Sequence, residues 1–267
     1  LIADTVYWPN LMFCDQQLTA LDIEVEYYDP SIGAKIDSLI RPNTKVIFLE
    51  SPGSLTFEVQ DIPAIARAAG SRGVTTILDN TWSTPVFFKS FQHGVDVSVH
   101  AATKYLSGHS DVMMGIIVSN ERCAEQVRKT HRLFGQTASP DDAYATLRST
   151  RNLVTRLHAH QQAGLALAEW LSARSEVDSV LHPAMPDSPG HTFWKRDFLG
   201  ASGLFGVILK PAPRDRILAM INGMSLFGIG ASWGGFESLM IPTYPERFRT
   251  ATQWAHEGQV LRIHAGL

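Results

Sequence analysis

Three charged residues at the ends of apolar runs carry most of the chemistry this sequence offers. Asp79 closes the run Val74-Thr75-Thr76-Ile77-Leu78. An acid there serves as a helix N-cap, as a Mg²⁺ or ribose ligand, or as the partner of a protonated ring nitrogen. Lys104 stands in His100-Ala101-Ala102-Thr103-Lys104-Tyr105-Leu106-Ser107-Gly108-His109-Ser110-Asp111, among small residues that let a ligand approach closely. A lone lysine is ordinarily a solvated surface group; this one is followed by apolar residues. Arg262 alternates with Leu261 and Ile263, so it points either into a cleft or into solvent. Open α/β sheets take their ligands at the carboxyl ends of strands. Each signal is weak by itself. Together they supply an amine for covalent attachment, a carboxylate for a pyridinium nitrogen and a cation for a substrate carboxylate, which is what pyridoxal 5′-phosphate requires.

The elements that must position these residues are legible in outline. Short buried-strand runs occur at Val46-Ile47-Phe48-Leu49, Val74 to Leu78, Val95 to Val99 and Ile116-Ile117-Val118, with a further alternation through Glu24, Val25, Tyr27 and Tyr28. The opening Leu1-Ile2-Ala3-Asp4 reads as a strand in progress. Asp61-Ile62-Pro63 through Gly70 reads as a helix, with Asp61 as N-cap and Gly70 as C-cap. Near-continuous apolar strands alternating with helices predict a mainly parallel sheet covered on both faces. From Leu153 the apolar positions recur at helical spacing through Leu157, His160, Gly164, Leu167 and Leu171. An irregular stretch follows from His182 to His191, then a strand at Leu204–Leu209, a helix near Ile217–Ile221 and strands near Leu226 and Leu261. The expected division is a large α/β domain over 1–150 and a smaller α+β domain over 151–267, joined by the long helix.

Composition narrows the class. The chain has 267 residues, 45% of them hydrophobic and 18% charged, with a formal net charge of −3. That is material for a packed core, without a basic stripe for nucleic acid or anionic lipid. No apolar run is long enough to span a bilayer. Cys14 and Cys123 have no metal-type spacing and read as reduced structural thiols of a cytoplasmic protein. No metal site is expected.

The runs Asp79-Asn80-Thr81-Trp82 and Ala101 to Asp111, with acid and lysine 25 residues apart, resemble the cofactor-attachment signature of the trans-sulfuration enzymes, the Cys/Met-metabolism family. The resemblance extends through Asp4-Thr5-Val6-Tyr7, Glu50-Ser51-Pro52-Gly53-Ser54, Ser232-Trp233-Gly234-Gly235 and Arg262, essentially the whole chain. It implies the PLP-dependent transferase fold type I, aspartate-aminotransferase-like, with a seven-stranded type of sheet. It implies that Lys104 holds the cofactor and shuttles protons, with a lowered pKa suited to a base. Asp79 would keep the pyridine nitrogen protonated and Tyr7 would stack on the ring, although a half-buried strand-end aromatic is the plainer reading of Tyr7. Thr103 would donate to the phosphate, and Ser54 would stand near the phenolic oxygen. Arg262 would grip the α-carboxylate, while Ser232 and Trp233 would line the same pocket; Trp233 alone reads as core. The family is also expected to form a homotetramer, a dimer of dimers with shared active sites. Its phosphate loop and a segment reaching the neighbouring subunit precede the present Leu1. Both ends of the chain are expected to be cut, since it opens without Met on a strand in progress and stops on a strand and turn at Leu261 to Leu267.

Within that family, Ala101 stands where many γ-acting members have Ser, and Ser54 where they have Asn. Both choices, and the run Ser232 to Ser238, resemble the bacterial cystathionine β-lyases. The implied reaction converts cystathionine and water to homocysteine, pyruvate and ammonia, as in methionine biosynthesis. The alternatives are a γ-acting trans-sulfuration enzyme (γ-synthase, γ-lyase or methionine γ-lyase), a general cysteine-S-conjugate β-lyase, or a non-catalytic regulator on the same fold. A dinucleotide-binding domain lacks its G-x-G-x-x-G.

Overall fold

A computed structural model describes residues 1–267. The β-branched runs fold as the strands β1 (Ile2–Ala3), β2 (Tyr27–Tyr28), β3 (Val46–Glu50), β4 (Thr75–Asp79), β5 (Val97–Ala101) and β6 (Gly115–Ser119). They form one sheet in the order β2-β1-β3-β4-β5-β6, parallel throughout except for β6, which runs antiparallel to β5. The sheet is thus mainly parallel, as expected, with six strands in this chain. The other four strands are β7 (Val177–Leu181), β8 (Leu204–Leu209), β9 (Leu239–Thr243) and β10 (Val260–His264), an antiparallel sheet in the order β7-β8-β10-β9.

The helices are α1 (Trp8–Phe13), α2 (Ile62–Ser71), α3 (Thr84–Phe87), α4 (Glu121–Phe134), α5 (Pro140–Ser149), α6 (Leu153–Ser172), α7 (His191–Asp197) and α8 (Arg214–Asn222). In α2 the Asp61 side chain accepts the Ala64 N–H at 3.3 Å, the N-cap bond its sequence promises. Ile62, Ile65 and Ala69 then line its buried face. The helix does not end at Gly70 but runs on to Ser71; the left-handed residue that turns the chain is Gly73, φ 68°. Twenty residues make α6 roughly 30 Å long. Gly164 in its middle lets it close on the strand behind, since a Cβ there would lie 2.9 Å from the Cα of Gly203.

The strand expected near Leu226 is absent. Leu226 is exposed, and only Gly228 of that segment bridges to the sheet, at Leu239. Glycines 223, 228 and 230 break the apolar run, and β9 takes the strand position, its Pro242 tolerated because β9 is an edge. The two sheets meet in one cluster, while Phe205, Val207, Leu261 and Ile263 of the second belong to a separate one. Ile2, Ile47, Leu49 and Leu78 of the first cluster with Leu204, Ile208 and Val260 of the second. Trp82 Nε1 donates to the Leu204 carbonyl at 2.8 Å and ties the carboxyl edge of the first sheet to β8. No helix is long and apolar enough to cross a membrane.

Candidate active site

The parallel strands β3 and β4 end side by side in carboxylates, Glu50 in register with Asp79. β5 ends at Ala101 and delivers the turn that carries Lys104. β10, from the second sheet, contributes Arg262, and the segment before β9 contributes Ser232 and Trp233. Tyr7, Ser54, Asp79, Lys104, Trp233 and Arg262 line one recessed cavity at that edge. Residues distant in sequence therefore meet where an α/β sheet binds its ligand.

Asp79 uses only one of its oxygens. Oδ1 accepts the Thr81 N–H at 2.9 Å and the Thr81 hydroxyl at 2.5 Å, leaving Oδ2 for a ligand. The same hydroxyl accepts the Ala101 N–H at 2.8 Å, so Thr81 stitches the end of β4 to the end of β5. Burial raises the Asp79 pKa, while Thr81 and the Lys104 charge oppose the rise. Lys104 Nζ donates to Ser232 Oγ at 2.8 Å and lies 5.4 Å from the Trp233 ring centroid. Burial, then the Arg262 charge, lower its pKa to about 8, against the pull of Asp79.

Arg262 has no carboxylate partner in the chain. Its guanidinium donates to the backbone carbonyls of Ala231 and, at 3.3 Å, Ser232, and burial lowers its pKa to about 10. A recessed cation without a counter-ion is incompletely compensated, and an incoming carboxylate would complete it.

Tyr7 is the N-cap residue of α1, half-exposed, with its ring on the cavity. Ser54 also lines the cavity, its backbone N–H bound to the Thr5 carbonyl at 2.7 Å. Thr103 stands apart from this group: its hydroxyl accepts the Met114 N–H at 3.0 Å and faces the Met114 carbonyl.

Two residues of the site are not evident from sequence. Glu50 Oε2 accepts the Tyr7 N–H at 2.6 Å, and burial, then its neighbour Asp79, drive its pKa well upward. A second acid ending a second apolar strand is the signal that could have found it, the same one that marks Asp79. Thr81 lies inside the Asp79 run, where its residue type suggests no role; its tie to Ala101 spans 20 residues.

Chemically the group suits pyridoxal 5′-phosphate. There is an amine of lowered pKa, an acid with one uncommitted oxygen, an aromatic wall and an unpaired guanidinium. On a mainly parallel sheet with a smaller antiparallel one behind it, these features define a fold type I PLP enzyme. The family described as Cys/Met metabolism PLP-dependent enzyme matches residues 1–267, and the chain belongs to it. It is 45% identical to cystathionine beta-lyase MetC of Escherichia coli (strain K12), over 100% of this chain and 69% of that protein. It is 38% identical to the L-alanine/L-glutamate racemase of Wolbachia pipientis wMel, over 100% of this chain and 66% of that one. The crystal structure of cystathionine gamma synthase from Xanthomonas oryzae pv. oryzae superposes with a TM-score of 0.91 at 27% identity, covering 99% of this chain and 70% of that one.

Proposed function

We propose that this protein is a carbon–sulfur β-lyase acting on cystathionine, with water, to release homocysteine, pyruvate and ammonia. The observation that carries the reading is the meeting of Lys104, Asp79 and Arg262 around one cavity from three separate parts of the fold. Its relatives named cystathionine beta-lyase support the choice of substrate.

Bound pyridoxal 5′-phosphate supplies an electron sink for the carbon bearing the substrate amine. Asp79 Oδ2 is the atom that would hold the cofactor's ring nitrogen, and Thr81 keeps that carboxylate in place through Oδ1. Arg262 would take the α-carboxylate in a two-point grip and so orient Cα toward Lys104. Lys104 Nζ, once free, removes the Cα proton. A pKa of about 8 leaves a useful fraction of the amine neutral near pH 7.5. Lys104, then carrying the abstracted proton, would be the acid at hand for the sulfur as it departs, so that homocysteine leaves as its thiol. Glu50 fixes Tyr7 against the cavity by accepting its N–H.

Pyruvate formed from cystathionine, with homocysteine in equal amount, is the expected result; 2-oxobutyrate would show γ-elimination instead. A second reading comes from the racemase relative, since proton removal and return at Cα need the same Lys104. D-alanine from L-alanine, without pyruvate from cystathionine, would favour that reading. A homotetramer with shared sites and a cytoplasmic location complete the proposal. The half-exposed Tyr7 and Trp8 at the mouth of the site favour a neighbouring subunit there. Light scattering that reports a monomer would refute the assembly.

A further inference from the structure

Residues two apart on a strand point the same way, so β10 presents Arg262 and His264 on one face. Both reach the segment carrying Ser232 and Trp233. Arg262 holds its start, through the carbonyls of Ala231 and Ser232. His264, only 1% exposed, holds its middle: Nε2 accepts the Gly234 N–H at 3.1 Å, and Nδ1 faces the Glu237 carbonyl at 3.0 Å. A carbonyl only accepts, so Nδ1 carries the hydrogen and Nε2 is bare; one neutral tautomer satisfies both bonds.

What His264 holds is pressed onto the Lys104 turn. Gly234 has φ 86°, and a Cβ there would lie 2.8 Å from the carbonyl carbon of Lys104 and 2.8 Å from the nitrogen of Tyr105. Backbone touches backbone, and no side chain fits between. That contact brings Ser232 Oγ to 2.8 Å from Lys104 Nζ and the Trp233 ring over it. Further along, the segment has anchors of its own: the Leu267 N–H donates to the Phe236 carbonyl at 3.0 Å and the Gly266 N–H to Ser238 Oγ at 2.9 Å. His264 is therefore the particular support of the Gly234 end.

We propose that His264 is a positioning residue for Lys104, acting through Gly234 to set Ser232 Oγ and the Trp233 ring against the amine. The inference rests on Lys104 being the reactive amine. The His264 ring stays neutral while it does so. Burial, then His160 at 5.1 Å between ring centroids, lower its pKa to about 3, with Arg262 and Lys104 adding to the effect and the Glu237 carbonyl opposing it.

Two substitutions separate the two bonds. His264→Asn keeps a donor near Nδ1 and loses the acceptor for Gly234, whereas His264→Gln places an amide oxygen near Nε2. In the cofactor-free full chain, Lys104 acylation by acetic anhydride, which releases acetate and is mapped by mass spectrometry across pH, should have its midpoint near 8. In His264→Asn the midpoint should rise by about one unit, because a loosened segment readmits water to the ammonium. In His264→Gln it should stay within about 0.3 unit of the parent value. In the holoenzyme, His264→Asn should lower kcat roughly tenfold with KM within about twofold, and His264→Gln should restore most of the loss. In a Ser232→Ala background, His264→Asn should cost far less, since its effect passes through that side chain. An unmoved midpoint in His264→Asn, equal shifts in both variants, or additive losses with Ser232→Ala would overturn the proposal. The midpoint is read on Lys104 without substrate. A normal shift in a protein that releases no pyruvate would therefore sink the lyase reading alone.

Discussion

Arg262→Lys tests the substrate class and the coupling of the site at once. The guanidinium has no carboxylate partner, and only Nη2 donates to the carbonyls of Ala231 and Ser232, leaving Nη1 and Nε for a ligand. A substrate carboxylate arriving at the unengaged nitrogens adds a paired fork while Nη2 keeps its hold on the segment. An ammonium keeps the charge and loses the fork. Losing one charge-assisted hydrogen bond costs about 1.5 to 3 kcal/mol, a fall of roughly ten- to 150-fold in kcat/KM. Were the bond made equally in ground and transition states, only KM would rise. But the carboxylate fixes the Cα–H bond against Lys104, and Arg262 also holds the segment that brings Ser232 to within 2.8 Å of Lys104 Nζ. A fall in kcat should therefore accompany the rise in KM. Steady-state kinetics with cystathionine, coupled to pyruvate detection, measures both. A cystathionine amidated at the carboxylate of its three-carbon half supplies the control, because parent and variant should turn it over at similar rates. Unchanged kcat/KM for cystathionine in Arg262→Lys would remove the carboxylate grip and, with it, the main support for an amino-acid substrate.

Other outcomes follow from the same geometry. Lys104→Ala should abolish turnover, and borohydride treatment with peptide mapping should place the pyridoxyl label of the parent protein on Lys104; a label on Lys45 or Lys89 would overturn the assignment. Asp79→Asn should still bind the cofactor, as seen by absorbance. Its α-proton loss should slow by about 3 to 5 kcal/mol of barrier, between roughly a hundredfold and several thousandfold, and parent-like kcat would exclude Asp79. Capture of the cofactor by the stripped protein requires a neutral amine. Because the Lys104 pKa is lowered to about 8, the capture rate should rise with pH to a midpoint near 8, not near the ordinary lysine value of about 10.4. A stopped-flow profile still climbing steeply above pH 9 would refute the lowered pKa.

Asp79 and Lys104 are legible in the sequence because their surroundings are local: one strand end, and one turn of small residues that folds on itself through the Lys104 N–H to Ala101 carbonyl bond at 3.0 Å. Arg262 is legible because strand alternation survives in a short run. Other features depend on chain partners that spacing does not announce. Ser232 meets Lys104 across 128 residues, and nothing in either segment names the other. The Leu226 segment has apolar residues in strand-like number, but glycines on both sides leave it out of the sheet, while β9, with a proline inside it, is admitted because an edge strand can do without that donor. Helix α4 has an Asn120 cap and a Gly135 stop, yet none of its residues is fully buried, so its apolar pattern is thin. His264 shows the limit most clearly. A histidine two residues after Arg262 in an apolar strand reads as filler. Its two nitrogens acquire roles only when Gly234, a residue with no side chain to notice, is pressed against the backbone of Lys104. The reactive amine is thus named by its own turn, but its chemistry is tuned by a contact between backbones, and backbone contacts leave almost no mark on sequence beyond a glycine.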